Sequence, residues 1–118
     1  MSKNTGTKYL KNIDGEKALN LSDLVQAGQG QVVSRTLAQN PHVSITLFAF
    51  DKDEEISSHS STGDAMITAL EGEARITIGE EDHVLSQGQT IVMPAEIPHA
   101  VFALSRFKMI LTVVFPQP

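Results

Sequence analysis

The stretch HSSTGDAMITALEG, residues 59–72, holds a histidine, a short polar run and an apolar segment that ends on a glycine. Small polar residues and glycine favour a turn, and the apolar segment AMITAL has the length of a strand. A histidine beside such a turn stands where ligand sites are commonly built, and imidazole is both a metal ligand and an acid or base near neutral pH. We therefore expect a turn, a strand entrance and a functional side chain at His59.

Short strands separated by turns account for the chain from residue 30 onward. Apolar and polar residues alternate along HVSITLFAF and ARITI, as in strands with one buried face. The segments that we predict as strands are 31–38, 42–50, 65–70, 74–78, 83–86, 90–94, 99–104 and 107–115. A spacing of about 8 to 12 residues is typical of sandwiches and small barrels. A nearly closed antiparallel barrel hides the edges of such strands and can leave a cavity at one mouth.

The length of the chain, 118 residues, suits one domain with one core, and no internal repeat is visible. We predict a single β-barrel domain over residues 1–118, with the barrel in 30–115 and an N-terminal arm in 1–29. The arm is too polar to form a core of its own. It holds one short helical turn that Ser22 and Asp23 are suited to cap.

Composition excludes several classes of partner and chemistry. The formal net charge of −5 repels phosphate backbones and anionic lipid headgroups, so we expect no nucleic acid and no membrane as partner. No stretch has the apolar length needed to span a bilayer, and the first residues lack the apolar block of a signal peptide, which together predict a cytoplasmic protein. The chain has no cysteine, which excludes disulfides and thiolate ligands.

A second histidine follows the stretch PAEIP, residues 94–98, whose prolines stiffen the turn before it. Strand alternation then places His99, Val101 and Ala103 on one face. A histidine beside small apolar side chains on an inward face predicts a pocket rather than a solvated surface. The two histidines are therefore expected at the mouth of one cavity.

Other side chains are interpreted as structural. Methionine fills irregular apolar space, so Met66, Met93 and Met109 are expected in the core or in the wall of a pocket. Arg35 and Arg75 fall on the polar phase of their strands, which predicts that both face solvent.

The stretch HSSTGDAMITALEG, residues 59–72, resembles the first motif of the cupin superfamily. That motif runs Gly, five residues, His-x-His, three or four residues, Glu, six residues, Gly. His59 matches the first histidine of that motif and Gly72 its closing glycine. Ser61 stands in place of the second histidine and Ala65 in place of the glutamate. Asp53 replaces the opening glycine.

The second motif of that family runs Gly, five residues, Pro-x-Gly, two residues, His, three residues, Asn. Gly88, Pro94 and His99 match it, while Glu96 and Ala103 stand where the glycine and the asparagine are expected. The resemblance covers most of the chain and implies an all-β, antiparallel jelly-roll barrel, also called a double-stranded β-helix. It also implies a homodimer, in which the N-terminal arm of one chain often extends a sheet of the other.

Members of this family commonly bind one divalent metal with three histidines and a glutamate, and this chain keeps His59 and His99. If four ligands contribute about 10 to 16 kcal/mol, two would contribute about half, which is a dissociation constant between about 100 μM and about 1 μM. The resemblance thus implies, as cofactor, at most a weakly bound divalent metal such as zinc, manganese, iron or nickel. Asp64 could supply a third metal ligand only if a bulge or a shifted strand register turned its side chain to the face that holds the histidines.

Two functions fit these observations. The first is a small-molecule-binding barrel with an apolar cavity, a polar mouth and weak or no metal binding. Its predicted ligand-binding residues are His59, Ser61, Ala65, His99, Val101 and Met109. The alternative is a metal-dependent cupin enzyme, such as a dioxygenase, isomerase or decarboxylase on a small organic substrate. It requires a third metal ligand from Asp64, from the substrate or from another subunit. The histidines could also serve as a metal-free acid and base, and the barrel as a sensor read by a partner.

Overall fold

The computed structural model describes residues 6–117, so residues 1–5 of the predicted arm and residue 118 lie outside the described residues. Within that range the chain forms a 3-10 helix at Leu21–Leu24 and strands β1 (Val32–Gln39), β2 (Val43–Phe50), β3 (Glu55–His59), β4 (Asp64–Glu71), β5 (Glu73–Ile78), β6 (Glu81–Ser86), β7 (Thr90–Met93), β8 (His99–Ala103) and β9 (Phe107–Val114). No helix among these residues is long and apolar enough to cross a membrane.

The strands form two sheets, ordered β1-β2-β9-β4-β7 and β3-β8-β5-β6, and their pairings are antiparallel. From β3 onward the chain crosses repeatedly from one sheet to the other, which is the connectivity of a jelly roll. Each strand predicted from the sequence overlaps an observed strand. The predicted all-β, antiparallel jelly-roll barrel is confirmed.

One strand that the sequence pattern does not predict is β3. Four of its five residues are exposed, and Ile56 alone is partly buried, so the strand lacks an alternation of apolar and polar residues. It lies at the edge of its sheet, where an apolar outer face is not needed. His59 is therefore the last residue of β3, before the turn that leads into β4, whereas the sequence pattern predicts only a strand entrance at this residue.

The main core lies between the two sheets. Alternate residues of β4 point inward, so Ala65, Ile67 and Ala69 are buried. They belong to a cluster that also includes Phe50, Ala74, Ile76, Leu85, Met93, Val101, Ala103, Phe107, Met109 and Val113. Burial of this cluster supplies the main hydrophobic stabilisation of the barrel.

A second core covers the part of the outer face of the five-stranded sheet that β1 and β2 form. The N-terminal segment, residues 11–28, lies over β1 and β2, and its Val25 and Ala27 are buried against Leu37 and Leu47 of those strands. The described part of the predicted arm thus packs on the sheet of its own chain.

Basic side chains of the sheet hold this segment in place. Arg35 donates from Nε to the carbonyl of Asn12 at 2.7 Å and from Nη1 to the carbonyl of Leu24 at 2.9 Å. Lys108 donates to the carbonyl of Ser22 at 2.6 Å. The expectation that Arg35 faces solvent is therefore wrong: it is half-buried, because the N-terminal segment covers the face that the strand pattern assigns to water.

Two turns keep a left-handed backbone without glycine. Asp53 has φ 70° and Glu96 has φ 69°, and both stand where the cupin motifs have glycine. This conformation costs a non-glycine residue about 1 to 2 kcal/mol. Both turns therefore adopt, with a non-glycine residue, the left-handed conformation that glycine takes without this cost.

Candidate binding site

The two histidines meet on neighbouring strands. His59 of β3 is the cross-strand partner of His99, the first residue of β8. Their ring centroids lie 4.5 Å apart, and the ring planes cross at 66° in an edge-to-face arrangement. His99 is buried and His59 is exposed, so the pair spans the boundary between the barrel interior and solvent.

The loop that presents His99 is tied to the turn after β3. The backbone N–H of Glu96 donates to the carbonyl of Ser61 at 2.8 Å, and that of Ala95 donates to Oδ1 of Asp64 at 2.8 Å. Prolines at positions 94 and 98 restrict the same loop. These contacts hold the backbone on both sides of the histidine pair and reduce the entropy cost of a fixed ring position.

Backbone carbonyls fix the tautomers of both rings. His59 Nδ1 lies 3.0 Å from the carbonyl oxygen of Ser57, and His99 Nδ1 lies 3.2 Å from that of Ile97. A carbonyl oxygen only accepts hydrogen bonds, so each Nδ1 carries the proton. In the neutral rings each Nε2 is then an acceptor.

Burial lowers the pKa of His99 below its ordinary value, because the charged imidazolium loses hydration. The hydrogen bond to the carbonyl of Ile97 acts in the opposite direction, and the nearby His59 lowers the pKa further. The net shift favours the neutral ring of His99 at neutral pH.

A cavity of about 210 Å³ opens at the histidine pair. Apolar side chains form most of its wall, and His59 and His99 are the polar side chains among the described residues that line it. The lining residues are Phe48, Ile56, His59, Ile67, Met93, His99, Val101, Met109 and Leu111. The cavity lies in the space between the two sheets, at the end of the barrel where β3 stops and β8 begins.

The predicted binding residues divide into two groups. His59, His99, Val101 and Met109 line the cavity. Ser61 and Ala65 do not. The hydroxyl of Ser61 instead accepts a hydrogen bond from the backbone N–H of Gly63 at 3.1 Å, because the residue lies in the turn beyond β3.

Ala65 faces the interior, but its methyl group is too short to reach the cavity. It is buried in the core beside its cross-strand partners Met93 and Val113, and Met93 forms that part of the wall. Met66, by contrast, is exposed on the outer face, because it follows Ala65 in an alternating strand. The expectation that Met66 belongs to the core or a pocket wall is therefore wrong.

Several wall residues were missed by sequence reasoning. Phe48 lies on the opposite phase of β2 from Leu47 and Ala49, which the alternating pattern marked as the apolar face. That face packs under the N-terminal segment, while Phe48 lines the cavity. The signal was present as a second apolar phase, Phe48 and Phe50, in a strand that is buried on both faces.

The residues present do not fit a tight divalent metal site. Within residues 6–117, no group of three or more histidine, aspartate or glutamate side chains is placed to hold a metal ion. Asp64 is exposed, and its carboxylate accepts the hydrogen bond from Ala95. Catalytic zinc and iron sites need three protein ligands. Two imidazoles alone fall short of that number.

Known proteins resemble this chain in sequence and in fold. Residues 46–115 match the cupin domain family. A conserved protein of unknown function from Streptococcus pyogenes is 48% identical, with 95% of this chain and 98% of that chain covered and a TM-score of 0.91. A cupin superfamily protein from Desulfitobacterium hafniense is 35% identical, with 92% of this chain and 100% of that chain covered and a TM-score of 0.88. A cupin 2 conserved barrel domain protein from Leptotrichia buccalis is 36% identical, with 81% of this chain and 47% of that chain covered and a TM-score of 0.79. Among curated proteins, none matches.

Proposed function

This chain belongs to the cupin family, and we propose that it is a small-molecule-binding cupin barrel whose ligand occupies the cavity beside His59 and His99. The observation that carries the proposal is a cavity of about 210 Å³ whose wall is apolar except for two imidazoles. An apolar cavity of about 150 Å³ is large enough to bind benzene. The volume therefore suits a molecule with one ring or a short branched chain.

Binding in this proposal does not require a metal. The apolar wall supplies affinity by releasing water from the ligand surface, and the imidazoles orient a polar group at the mouth. The alternative, a metal-dependent cupin enzyme, needs a third protein ligand that the described residues do not supply. If ligand binding proved to depend on zinc, manganese, iron or nickel, that alternative would replace this proposal.

Benzene serves as a probe of the cavity itself. We expect it to bind the EDTA-treated protein and to shift the NMR signals of the cavity methyl groups. Val101→Phe places a ring inside the cavity and should weaken this binding about tenfold or more. Val84→Phe is the matched control, because Val84 of β6 is 60% exposed on the outer face of the four-stranded sheet. It should leave the affinity for benzene unchanged. Equal affinity in the parent protein and both variants would show that benzene binds elsewhere and would overturn the proposal.

A homodimer is part of the same proposal, and the outer face of the five-stranded sheet supports it. Met66 and Val92 are cross-strand partners that are 42% and 54% exposed, and Val114 on the neighbouring strand is 53% exposed. An apolar surface of adjacent strands commonly marks an interface between protein chains. The net charge of −5 continues to disfavour nucleic acid and anionic membranes as partners, and we propose the cytoplasm as the location.

We expect the parent protein to sediment as a dimer at micromolar concentration. Met66→Lys combined with Val92→Lys should give a folded monomer, because each chain would have to bury two unpaired cations in the apolar interface. Val84→Lys places one such charge on the exposed face of the four-stranded sheet and should leave the dimer intact. A monomeric parent protein, or a double variant that remains dimeric, would contradict this use of the sheet face.

A further inference from the structure

The two imidazoles of the cavity offer a ligand hydrogen-bond acceptors and no donors when both rings are neutral. Both imidazoles use Nδ1 to donate to backbone carbonyls, of Ser57 and Ile97. Reversing either tautomer would set a nitrogen lone pair against a carbonyl lone pair. In the neutral pair, the hydrogen-bonding side-chain atoms left for a ligand are the two Nε2 acceptors.

The same cavity has no means of holding a charged ligand. Its remaining wall residues are aliphatic, aromatic or methionine side chains, and no carboxylate, lysine or arginine among the described residues lines it. A carboxylate or ammonium group would lose its hydration there without gaining an opposite charge. The buried position of His99 disfavours an imidazolium that would serve as the counterion of an anion.

We infer that the cavity selects uncharged molecules with one hydroxyl or N–H donor on a compact apolar body, the donor being bound by Nε2 of His59 or His99. This inference rests on the proposed function and adds the polarity of the ligand to its size. A ligand with only a carbonyl group presents lone pairs to the two acceptor nitrogens, so it forms no direct hydrogen bond with them. A ligand that carries a carboxylate adds to this mismatch the cost of burying a charge.

Three probes that share one ring separate these cases. We propose NMR titrations of the EDTA-treated protein at pH 8 with cyclohexanol, cyclohexanone and cyclohexanecarboxylate. Because one neutral hydrogen bond is at stake, cyclohexanol should bind about tenfold more tightly than cyclohexanone. Cyclohexanecarboxylate should bind more weakly than either. His59→Phe keeps a ring in place but removes one acceptor, so it should reduce the preference for the alcohol over the ketone.

The outcomes separate the ligand class from the proposed function. If benzene binds but the alcohol and the ketone bind equally, or the carboxylate binds most tightly, the ligand class is wrong and the binding cavity stands. If neither benzene nor any of the three probes binds the parent protein, the proposed function itself is wrong. An unchanged preference in both His59→Phe and the folded His59→Phe/His99→Phe variant would exclude the histidines as the source of selectivity.

Discussion

Replacing Ser61 with histidine and Ala65 with glutamate should raise the affinity for zinc at least about a hundredfold. A four-ligand site contributes about 10 to 16 kcal/mol, and two ligands about half of that. The gain in binding free energy that we expect is smaller than this difference, because the new carboxylate enters a buried position beside Met93 and Val113 and loses hydration there. Ala65 faces the interior next to the cavity wall, and Ser61 lies in the turn directly after β3, so we expect longer side chains at these positions to reach the imidazole pair.

Titration calorimetry with zinc and manganese measures this gain. The control is Ser61→His with Ala65→Gln, which has nearly the same shape as the glutamate variant but no carboxylate charge. It should gain much less affinity. A folded Ser61→His/Ala65→Glu protein with the affinity of the parent would show that the barrel no longer holds these backbone positions in a metal-binding geometry.

Replacing Gly72 with alanine should cost at least about 3 kcal/mol of stability, a large effect for one methyl group. Gly72 joins β4 of one sheet to β5 of the other and has φ 76°, which disfavours a side chain. A Cβ atom built there would lie 2.0 Å from the carbonyl oxygen of Arg106, in the connection between β8 and β9. The two crossings between sheets pack so closely that only glycine fits.

Gly88→Ala is the matched control for this prediction. Gly88 also has a positive φ, 88°, but nothing lies within 4 Å of the position that a Cβ atom would take there. Its substitution should cost only the backbone strain, about 1 to 2 kcal/mol. Urea unfolding of both variants separates the two contributions, and equal losses of stability would mean that the crossings adjust easily to a side chain at Gly72.

Much of the fold could be predicted from the sequence because alternation and turn residues mark the strands independently of distant contacts. Strand β3 was not predicted, because an exposed edge strand needs no apolar face and so shows no alternation. The cavity-lining position of Phe48 and the half-buried position of Arg35 were not predicted, for a common reason. The N-terminal segment covers the outer face of β1 and β2, and strand alternation cannot show which face another segment will cover.

The candidate site could be predicted in its polar part more than in its walls. Motif spacing identified His59 and His99, and strand alternation added Val101. It did not show that Ala65, although inward-facing, stops short of the cavity, because that depends on the size of Met93 beside it. It also did not show that Asp64 ties down the loop before His99, since that contact joins residues far apart in the sequence.

The most direct test of the proposed binding site is to locate a bound molecule against the two imidazoles in protein freed of metal. With benzene and EDTA-treated protein, nuclear Overhauser contacts should connect the bound ring to the ring protons of His59 and His99 and to the methyl groups of Val101 and Met109. Benzene that makes no contact with either imidazole, or that binds only after a divalent metal is added, would contradict it.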